Sequence, residues 1–176
     1  MLRRAWIFDT VVLSNFLLSN GEFLVKGRYK GNALISGEVY TELAAGFVSY
    51  PRLQQVDNLI DDGTLQLTSL SRKELEIYRQ LTGHLGRGEA SSVAIAYNRK
   101  ATMVTDDRAA RSQCAQMKIT VTGTIGILKA SVMDDLISLE QADALLQKMI
   151  KKGFYSPVRG MKDIILDYAL QSKNKK

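Results

Sequence analysis

The chain has 176 residues, of which 45% are hydrophobic and 24% are charged. This length suits one domain with a sizeable core, and this composition is ordinary for a soluble globular protein. No apolar run approaches the roughly 18 residues that a membrane span needs. The single cysteine excludes an internal disulfide and a multi-cysteine zinc site. We therefore expect a cytoplasmic protein without a membrane partner.

The net charge of +6 is unevenly distributed along the chain. Residues 148–176 hold eight Lys or Arg and two Asp or Glu, whereas residues 1–147 hold sixteen of each. A basic flank beside a neutral body suits a polyanionic partner such as nucleic acid. A solvated helix face with a frayed Lys-rich end would give the same composition, so the charge alone leaves both interpretations open.

Short apolar strands alternate with amphipathic helices along the chain. Helices are predicted where apolar residues recur three or four apart, and strands where short apolar or alternating runs occur. Ser71 and the pair Ser138 and Gln141 are typical of helix N-termini. The predicted strands are 5–9, the start of 33–46, 65–70, 102–105 and 119–123, and the predicted helices are 11–18, the rest of 33–46 up to Gly46, 51–63, 72–83, 86–100, 108–117 and 139–153.

This alternation predicts an α/β fold, in which βαβ units build a parallel sheet that is covered on both faces. We place the domain at residues 1–153. We assign residues 154–176 to a basic, helical C-terminal extension that packs on or flanks the same domain. The stretch 123–129, GTIGILK, lacks the Gly-Lys-Ser/Thr ending of a phosphate-binding P-loop, so it is interpreted as a tight strand-to-helix turn.

Acidic residues recur where the predicted strands end. Asp9 ends the first strand, and Asp106 and Asp107 end the strand after the helix of small residues. Ligands of open α/β sheets bind at the carboxyl ends of the strands, near the point where strand order reverses. Glu42 comes from the second helix, and Glu89 stands at the start of a helix, where the dipole favours an anion.

Each of these acids alone has a structural explanation, such as a helix cap or an exposed helix position. Two adjacent aspartates, however, exceed what a single cap requires. Converging carboxylates are costly unless a cation neutralises them, and hard oxygen ligands suit Mg²⁺ or Mn²⁺. The only histidine, His84, lies in a Gly-flanked loop, which disfavours zinc. The chemistry that such a site permits is metal-assisted phosphodiester cleavage.

Five segments, in this order and spacing, resemble the PIN-domain family. The last three are most similar to a prokaryotic subgroup in which a Gly-Thr-Ile-Gly helix start follows the final strand. The resemblance covers residues 5–153, and the ordered set is more specific than any one motif. The segments are IFDTVVLSNFL, GEVYTELAAG, GRGEASSVAIAY, VTDDRAAR and VTGTIGILKAS.

The resemblance implies a Rossmann-like three-layer α/β/α domain with a mainly parallel sheet, an acidic Mg²⁺ or Mn²⁺ site, and endoribonuclease activity on RNA. By position it implies catalytic roles for Asp9, Glu42, Glu89, Asp107 and Asp106, with all but Glu42 as metal ligands. Within the Thr-x-Asp pattern, Asp107 is expected to face the metal with Asp9, and Asp106 to cap the next helix or hold a metal-bound water. Thr10 and Thr105 are the expected supporting residues, and Arg108, Arg111, Lys151 and Lys152 are candidate nucleic-acid contacts.

Two features depart from the family pattern. Glu89 replaces the commoner Asp, so its carboxylate reaches one methylene further, and the chain is longer at its C-terminus than compact relatives. Many relatives are VapC-type toxins that a small antitoxin holds inactive, and PIN relatives commonly form homodimers. The resemblance therefore implies an antitoxin partner and a dimer as further expectations.

Two other classes of function compete with the ribonuclease. A PIN domain that binds RNA or a protein without cleaving is compatible with Glu89 and with the basic C-terminal segment. Phosphoryl transfer through an aspartyl-phosphate at Asp9 is disfavoured, because position 11 is Val where an Asp-x-Asp motif needs a second acid.

Overall fold

The computed structural model describes residues 5–162, 164 and 165. Within these residues one five-stranded sheet forms, and every strand pairing in it is parallel. The strand order is β3-β2-β1-β4-β5, so the order reverses between β1 and β4. The strands are β1 (Trp6–Phe8), β2 (Ala33–Ser36), β3 (Leu65–Thr68), β4 (Thr102–Val104) and β5 (Val121–Thr122).

Helices connect the strands and cover both faces of the sheet. The described residues form nine α-helices and a short 3₁₀ helix over Pro51–Gln54. The α-helices are α1 (Thr10–Ser19), α2 (Glu22–Tyr29), α3 (Gly37–Ala45), α4 (Gln55–Asp61), α5 (Arg72–Leu81), α6 (Arg87–Arg99), α7 (Arg108–Gln116), α8 (Thr124–Met133) and α9 (Leu139–Lys151). The three-layer α/β/α architecture that the sequence predicts is therefore confirmed.

The core consists of two hydrophobic clusters, one on each face of the sheet. Ile7 belongs to the cluster beneath α5, α6 and α7, whereas Phe8 belongs to the one beneath α1, α3, α8 and α9. Met103 and Val104 in β4 divide in the same way. Successive side chains of a strand point to opposite faces, so a central strand with two covered faces must be apolar throughout.

The helix N-termini follow the sequence signals. Ser71 and Ser138 each form a capping box, with Glu74 and Gln141 as the reciprocal partners. These contacts satisfy backbone N–H groups that a helix start would otherwise leave unpaired. Helix α2 was not predicted, because Gly27 and the charged residues around it interrupt the apolar periodicity.

Part of the predicted C-terminal extension is described by the structure, and it lies against α9. Residues 154–160 form a loop, and residues 161, 162, 164 and 165 are helical. Phe154 and Met161 are buried, and Asp143 on α9 accepts a hydrogen bond of 2.5 Å from Met161 N. Residues 163 and 166–176 of the predicted extension lie outside the described residues.

Glu74 links two helices and a strand end on the face away from α1. Its side chain is completely buried and accepts hydrogen bonds from Ser71 N at 2.7 Å and from Arg99 Nε at 2.7 Å. Arg99 also donates to Thr68 Oγ1 at 2.8 Å. The Arg99 guanidinium lowers the pKa of Glu74 from 4.5 to about 2, because it stabilises the charged carboxylate.

We expect Glu74→Gln to lower the free energy of unfolding at neutral pH by roughly 2 kcal/mol. This is less than the loss for a fully buried pair, because Arg99 remains partly exposed. The pKa of folded Glu74 is depressed, so the stabilisation is present above about pH 4.5 and is lost as the pH falls toward about 2. Urea titrations across this range measure it, with the exposed Glu76→Gln as the control on the same helix. Equal losses in the two variants would contradict a specific role for Glu74.

Candidate active site

The carboxyl ends of β1 and β4 meet at the point where strand order reverses. Phe8 pairs with Val104 in register, and Asp9 N donates to Val104 O at 3.0 Å. Thr105 N donates to Thr122 O at 2.9 Å, which holds β5 beside β4 at the same level. The prediction that the strands ending in Asp9 and in the aspartate pair are neighbours is therefore confirmed.

Asp9 is the most deeply buried acid of this region, with 1% of its surface exposed. Its Oδ1 atom caps α1 by accepting from Val12 N at 2.9 Å. Its Oδ2 atom is buried and has no hydrogen-bond partner. Burying a carboxylate oxygen without a hydrogen-bond donor is energetically unfavourable. Binding of a proton or a cation at this oxygen would therefore stabilise Asp9.

Asp106 is held by residues from two other elements. Its Oδ1 atom accepts from Thr124 N at 3.0 Å, and its Oδ2 atom accepts from Thr124 Oγ1 at 2.5 Å and from Asn15 Nδ2 at 3.4 Å. Asn15 also donates to Thr124 Oγ1 at 3.0 Å. These contacts fix the Asp106 carboxylate between α1 and α8.

Asp107, the second aspartate of the pair, caps α7. Its Oδ1 atom accepts from Ala110 N at 2.7 Å, and its own N–H donates to Thr105 Oγ1 at 3.1 Å. The capping role offered to Asp106 by the sequence pattern therefore falls to Asp107. The physical reason is local, because Asp107 directly precedes the helix and an N-cap must reach the N–H three residues ahead.

Glu42 and Glu89 meet at the start of α6. Glu42 extends from α3, where its Oε1 atom accepts from Gly88 N at 2.8 Å and its Oε2 atom accepts from the hydroxyl of Thr10. Glu89 lies in the first turn of α6. Thr10 thus contacts Glu42, which the sequence offered as a helix acid, whereas a supporting role for Thr10 was implied by the resemblance.

Several of these carboxylates act on one another electrostatically. Burial raises the pKa of Asp9 from 3.8 to about 7, and the charges of Asp106 and Glu89 raise it further, while the nearby Thr105 hydroxyl and the hydrogen bond from Val12 N oppose the shift. Burial also raises the pKa of Glu89 and of Asp106. The pKa of Glu89 is raised further by the charges of Asp107 and Glu42.

The carboxylates nevertheless do not form one compact cluster. Within residues 5–162, 164 and 165, no group of three or more His, Cys, Asp or Glu side chains is placed to hold a metal ion. The acids nevertheless interact through their charges, and their joint role as a metal site stays a prediction. Most of their oxygens accept hydrogen bonds from helix N-termini and from hydroxyls.

Glycines give these acids room. A Cβ atom at Gly88 would collide with the carboxylate of Glu42, and one at Gly86 would collide with that of Glu89. At Gly123 a Cβ would collide with Asp106 Oδ1 and would lie 3.0 Å from Thr105 O. Gly123 has an extended backbone that any residue adopts, so the requirement there is for space rather than for unusual dihedral angles.

Two hollows flank Asp106 on the protein surface. One, of about 590 Å³, is lined by Arg111 and by the turn into α8, and the other, of about 320 Å³, is lined by Arg108 and Asn15. Arg111 Nη1 donates to Thr105 O at 2.9 Å, and its charge opposes the rise in the pKa of Asp106.

Of the predicted basic contacts, only the two arginines lie beside the acids. Lys151 and Lys152 are exposed at the end of α9 and line neither hollow. Sequence reasoning missed Asn15 and Thr124 as partners of Asp106. Thr124 could have been found, because it follows β5 at the same sheet edge, but the contact of Asn15 depends on how α1 packs.

The parallel α/β/α sheet with acids at its switch point is the arrangement that the resemblance to PIN domains implies. The chain belongs to the PIN-domain family: the family model DUF3368, described as a PIN domain, matches residues 5–168. The match therefore runs past residue 153, where the sequence analysis placed the end of the domain. No curated protein matches the chain, and no helix in the described part is long and apolar enough to cross a membrane.

We expect Asp9→Asn to increase the free energy of unfolding above about pH 7 when metal is removed with EDTA. The pKa of Asp9 in the folded protein lies above its ordinary value of 3.8. Ionisation of Asp9 therefore lowers the free energy of unfolding progressively as the pH rises from about 4 to about 7. Asparagine keeps an acceptor for Val12 N and removes the buried charge. The gain should be on the order of 2 kcal/mol.

Urea titrations of the wild type and Asp9→Asn at several pH values measure this difference. The exposed Asp61→Asn at the end of α4 is the control for a general change in net charge. A gap between wild type and Asp9→Asn that stays constant from about pH 4 to about pH 8 would contradict the burial argument.

Gly123→Ala should lower the melting temperature, because its methyl group would push Asp106 away from Thr124 N and press on the carbonyl of Thr105. The matched control is Gly37→Ala, since Gly37 begins α3 and has no atom within 4 Å of an added Cβ. We expect Gly37→Ala to be neutral or slightly stabilising. Equal melting temperatures for the two variants would contradict the close packing of Asp106 against Gly123.

Proposed function

We propose that this PIN-domain protein is a Mg²⁺- or Mn²⁺-dependent endoribonuclease, with its active site at the carboxyl ends of β1 and β4. PIN domains are commonly nucleases, which supports the coarser assignment to nucleic-acid hydrolysis. The observation that carries the proposal is the unpartnered Oδ2 atom of Asp9, buried beside other acids at the switch point.

The donor set fits a hard divalent cation. Asp9 would hold the ion with Asp106, Glu89 and Asp107 as further ligands or as partners of its waters. Mg²⁺ usually keeps several waters and is bound by one or two carboxylates together with substrate phosphates, so a cage of three protein ligands is not required. When bound, such an ion activates water and polarises a phosphodiester.

The protein's own residues position these acids and limit their protonation. Thr124 and Asn15 hold Asp106 in place, so that it lies beside Asp9 without a flexible side chain to reorganise. Thr105 contributes in the same way, since its hydroxyl supports Asp107 N and opposes the rise in the pKa of Asp9. Preorganisation of this kind lowers the cost of orienting polar groups during reaction.

Glu42 has a positioning role in this proposal. It is exposed, but its carboxylate is fixed by Gly88 N and Thr10 Oγ1, and its charge raises the pKa of Glu89. It therefore ties the start of α6 to α3 and to the start of α1. Removing it would free Glu89 from one neighbouring charge and loosen the helix start that carries it.

The alternative function is a PIN domain that binds RNA or a protein partner without cleaving. The spacing of the described carboxylates favours this alternative, because no three of them are placed to hold an ion together. Calorimetric titration with Mn²⁺ separates the two functions. Salt-dependent RNA binding without Mn²⁺ binding would support the alternative.

The antitoxin partner, the homodimer and the cytoplasmic location implied by the family resemblance stay predictions. Light scattering on the purified chain measures the oligomeric state. Purification from its native cells, with mass spectrometry of co-purified small proteins, checks for the partner.

We expect the purified chain to cleave RNA in Mg²⁺ or Mn²⁺, and Asp9→Asn to lower the rate at least 100-fold. Loss of activity would not reflect unfolding, because Asp9→Asn removes a buried charge. Added Mn²⁺ should also raise the melting temperature of the wild type but not of Asp9→Asn, because a ligand that binds only the folded state stabilises it.

The control is again Asp61→Asn, which should cleave like the wild type. Cleavage that persists in excess EDTA, or at an equal rate in Asp9→Asn, would overturn the proposed function.

A further inference from the structure

Tyr155 is an aromatic side chain that the fold presents to solvent beside the acidic site. Its residue surface is 96% exposed, so the ring contributes almost nothing to the core. Together with Phe154 and Asp106, Tyr155 lines both hollows. A single exposed aromatic residue is common on protein surfaces, but this one lies at the acidic site and its backbone is fixed there.

The backbone around Tyr155 is fixed on both sides. Before it, Gly153 follows the end of α9 and has a φ of +103°. Phe154 N donates to Met149 O at 3.0 Å, and the Phe154 ring packs into the core. After it, Ser156 Oγ donates to Val158 O at 2.6 Å. The neighbouring residues therefore hold the backbone of Tyr155 at the rim of the site, while its ring stays uncovered.

An arginine lies in each hollow that the ring borders. Arg111 lines the larger hollow and Arg108 the smaller one, and both are exposed. Asp106 lies on the wall that the two hollows share with Tyr155. The surface thus combines an exposed aromatic ring with two cations around hollows that Asp106 also lines.

This arrangement matches the chemistry of an unpaired polynucleotide strand. Proteins that bind single strands combine basic grooves for the backbone with exposed aromatic rings on which bases stack. We propose that Tyr155 stacks on an unpaired base of the RNA next to the phosphodiester at the acidic site, with Arg108 and Arg111 contacting the flanking phosphates. This inference rests on the proposed function, and it adds a binding residue outside the acidic set.

The proposal excludes a paired duplex as the ligand of Tyr155. Bases within a duplex are stacked on each other and cannot lie on a protein ring without leaving the helix. Tyr155 would therefore favour loops, bulges and unpaired ends of RNA, and its contribution would depend little on which base is stacked.

The test measures binding separately from cleavage. The full chain is titrated against a fluorescently labelled oligouridine in EDTA, where a metal-dependent nuclease does not cut. We expect Tyr155→Ala to weaken binding about tenfold, and Tyr155→Phe to bind like the wild type because it keeps the ring. The melting temperature of Tyr155→Ala should equal that of the wild type, since the ring is exposed.

Tyr97→Ala is the matched control. Tyr97 is a half-exposed tyrosine that lies near the end of α6 and lines a hollow at the amino ends of β4 and β5, away from the acids. Its removal should leave binding unchanged. Substituting Ala for Tyr155 should also leave the affinity for a blunt RNA duplex unchanged.

Two further measurements separate the ring from the arginines. Arg111→Gln should reduce the slope of log affinity against log salt concentration by about one, whereas Tyr155→Ala should lower affinity with the slope unchanged. An oligonucleotide that carries 5-iodouridine should crosslink under ultraviolet light to the peptide that contains Tyr155.

Equal binding by wild type and Tyr155→Ala, no binding of oligouridine by the wild type, or a crosslink that excludes the Tyr155 peptide would each overturn the inference. Failure of the proposed function gives a different result. In that case Tyr155→Ala would still weaken binding in EDTA, while no metal-dependent cleavage would be observed in the wild type.

Discussion

The parallel pairing of β1 with β4 is the constraint on which the rest of the site depends. Because Phe8 lies opposite Val104 in register, the residues that follow both strands emerge at the same level of the sheet. The chain then turns away in opposite directions, with β2 and β3 on one side and β5 on the other. The gap that this reversal opens receives Asp9 and Asp106, and a shift of one residue in the pairing would separate them.

Acids in this gap lose part of their hydration, and hydrogen bonds from the surrounding backbone replace only some of it. Helix N-termini supply N–H donors to Asp9, Asp107 and Glu42, and the turn into α8 supplies one to Asp106. The Oδ2 atom of Asp9 receives none. Burial therefore raises the pKa of Asp9 to about 7, because the protein by itself does not stabilise the ionised carboxylate well.

Most of the fold could be predicted from sequence, because its signals are local. Strand runs, apolar periodicity and the Ser138 capping box each lie within a few residues of the element they specify, and each was confirmed. Helix α2 was missed because Gly27 interrupts its pattern, and its stability comes from packing of Leu24 and Val25 into the core. The acids could be identified from their positions at strand ends and on helices. The contact of Asn15 with Asp106 could not, because it depends on how α1 packs.

The sequence by itself determined the alternation of strands and helices, the apolar faces that bury them, and the acids at the strand ends. These depend on periodicity and on chemistry between near neighbours. Only the tertiary structure decided that Asp106 bonds to Thr124 and Asn15, that Glu42 bonds to Gly88, and that Tyr155 stands beside the acids. Those outcomes depend on contacts between residues far apart in the chain, which form only when the helices pack against the completed sheet.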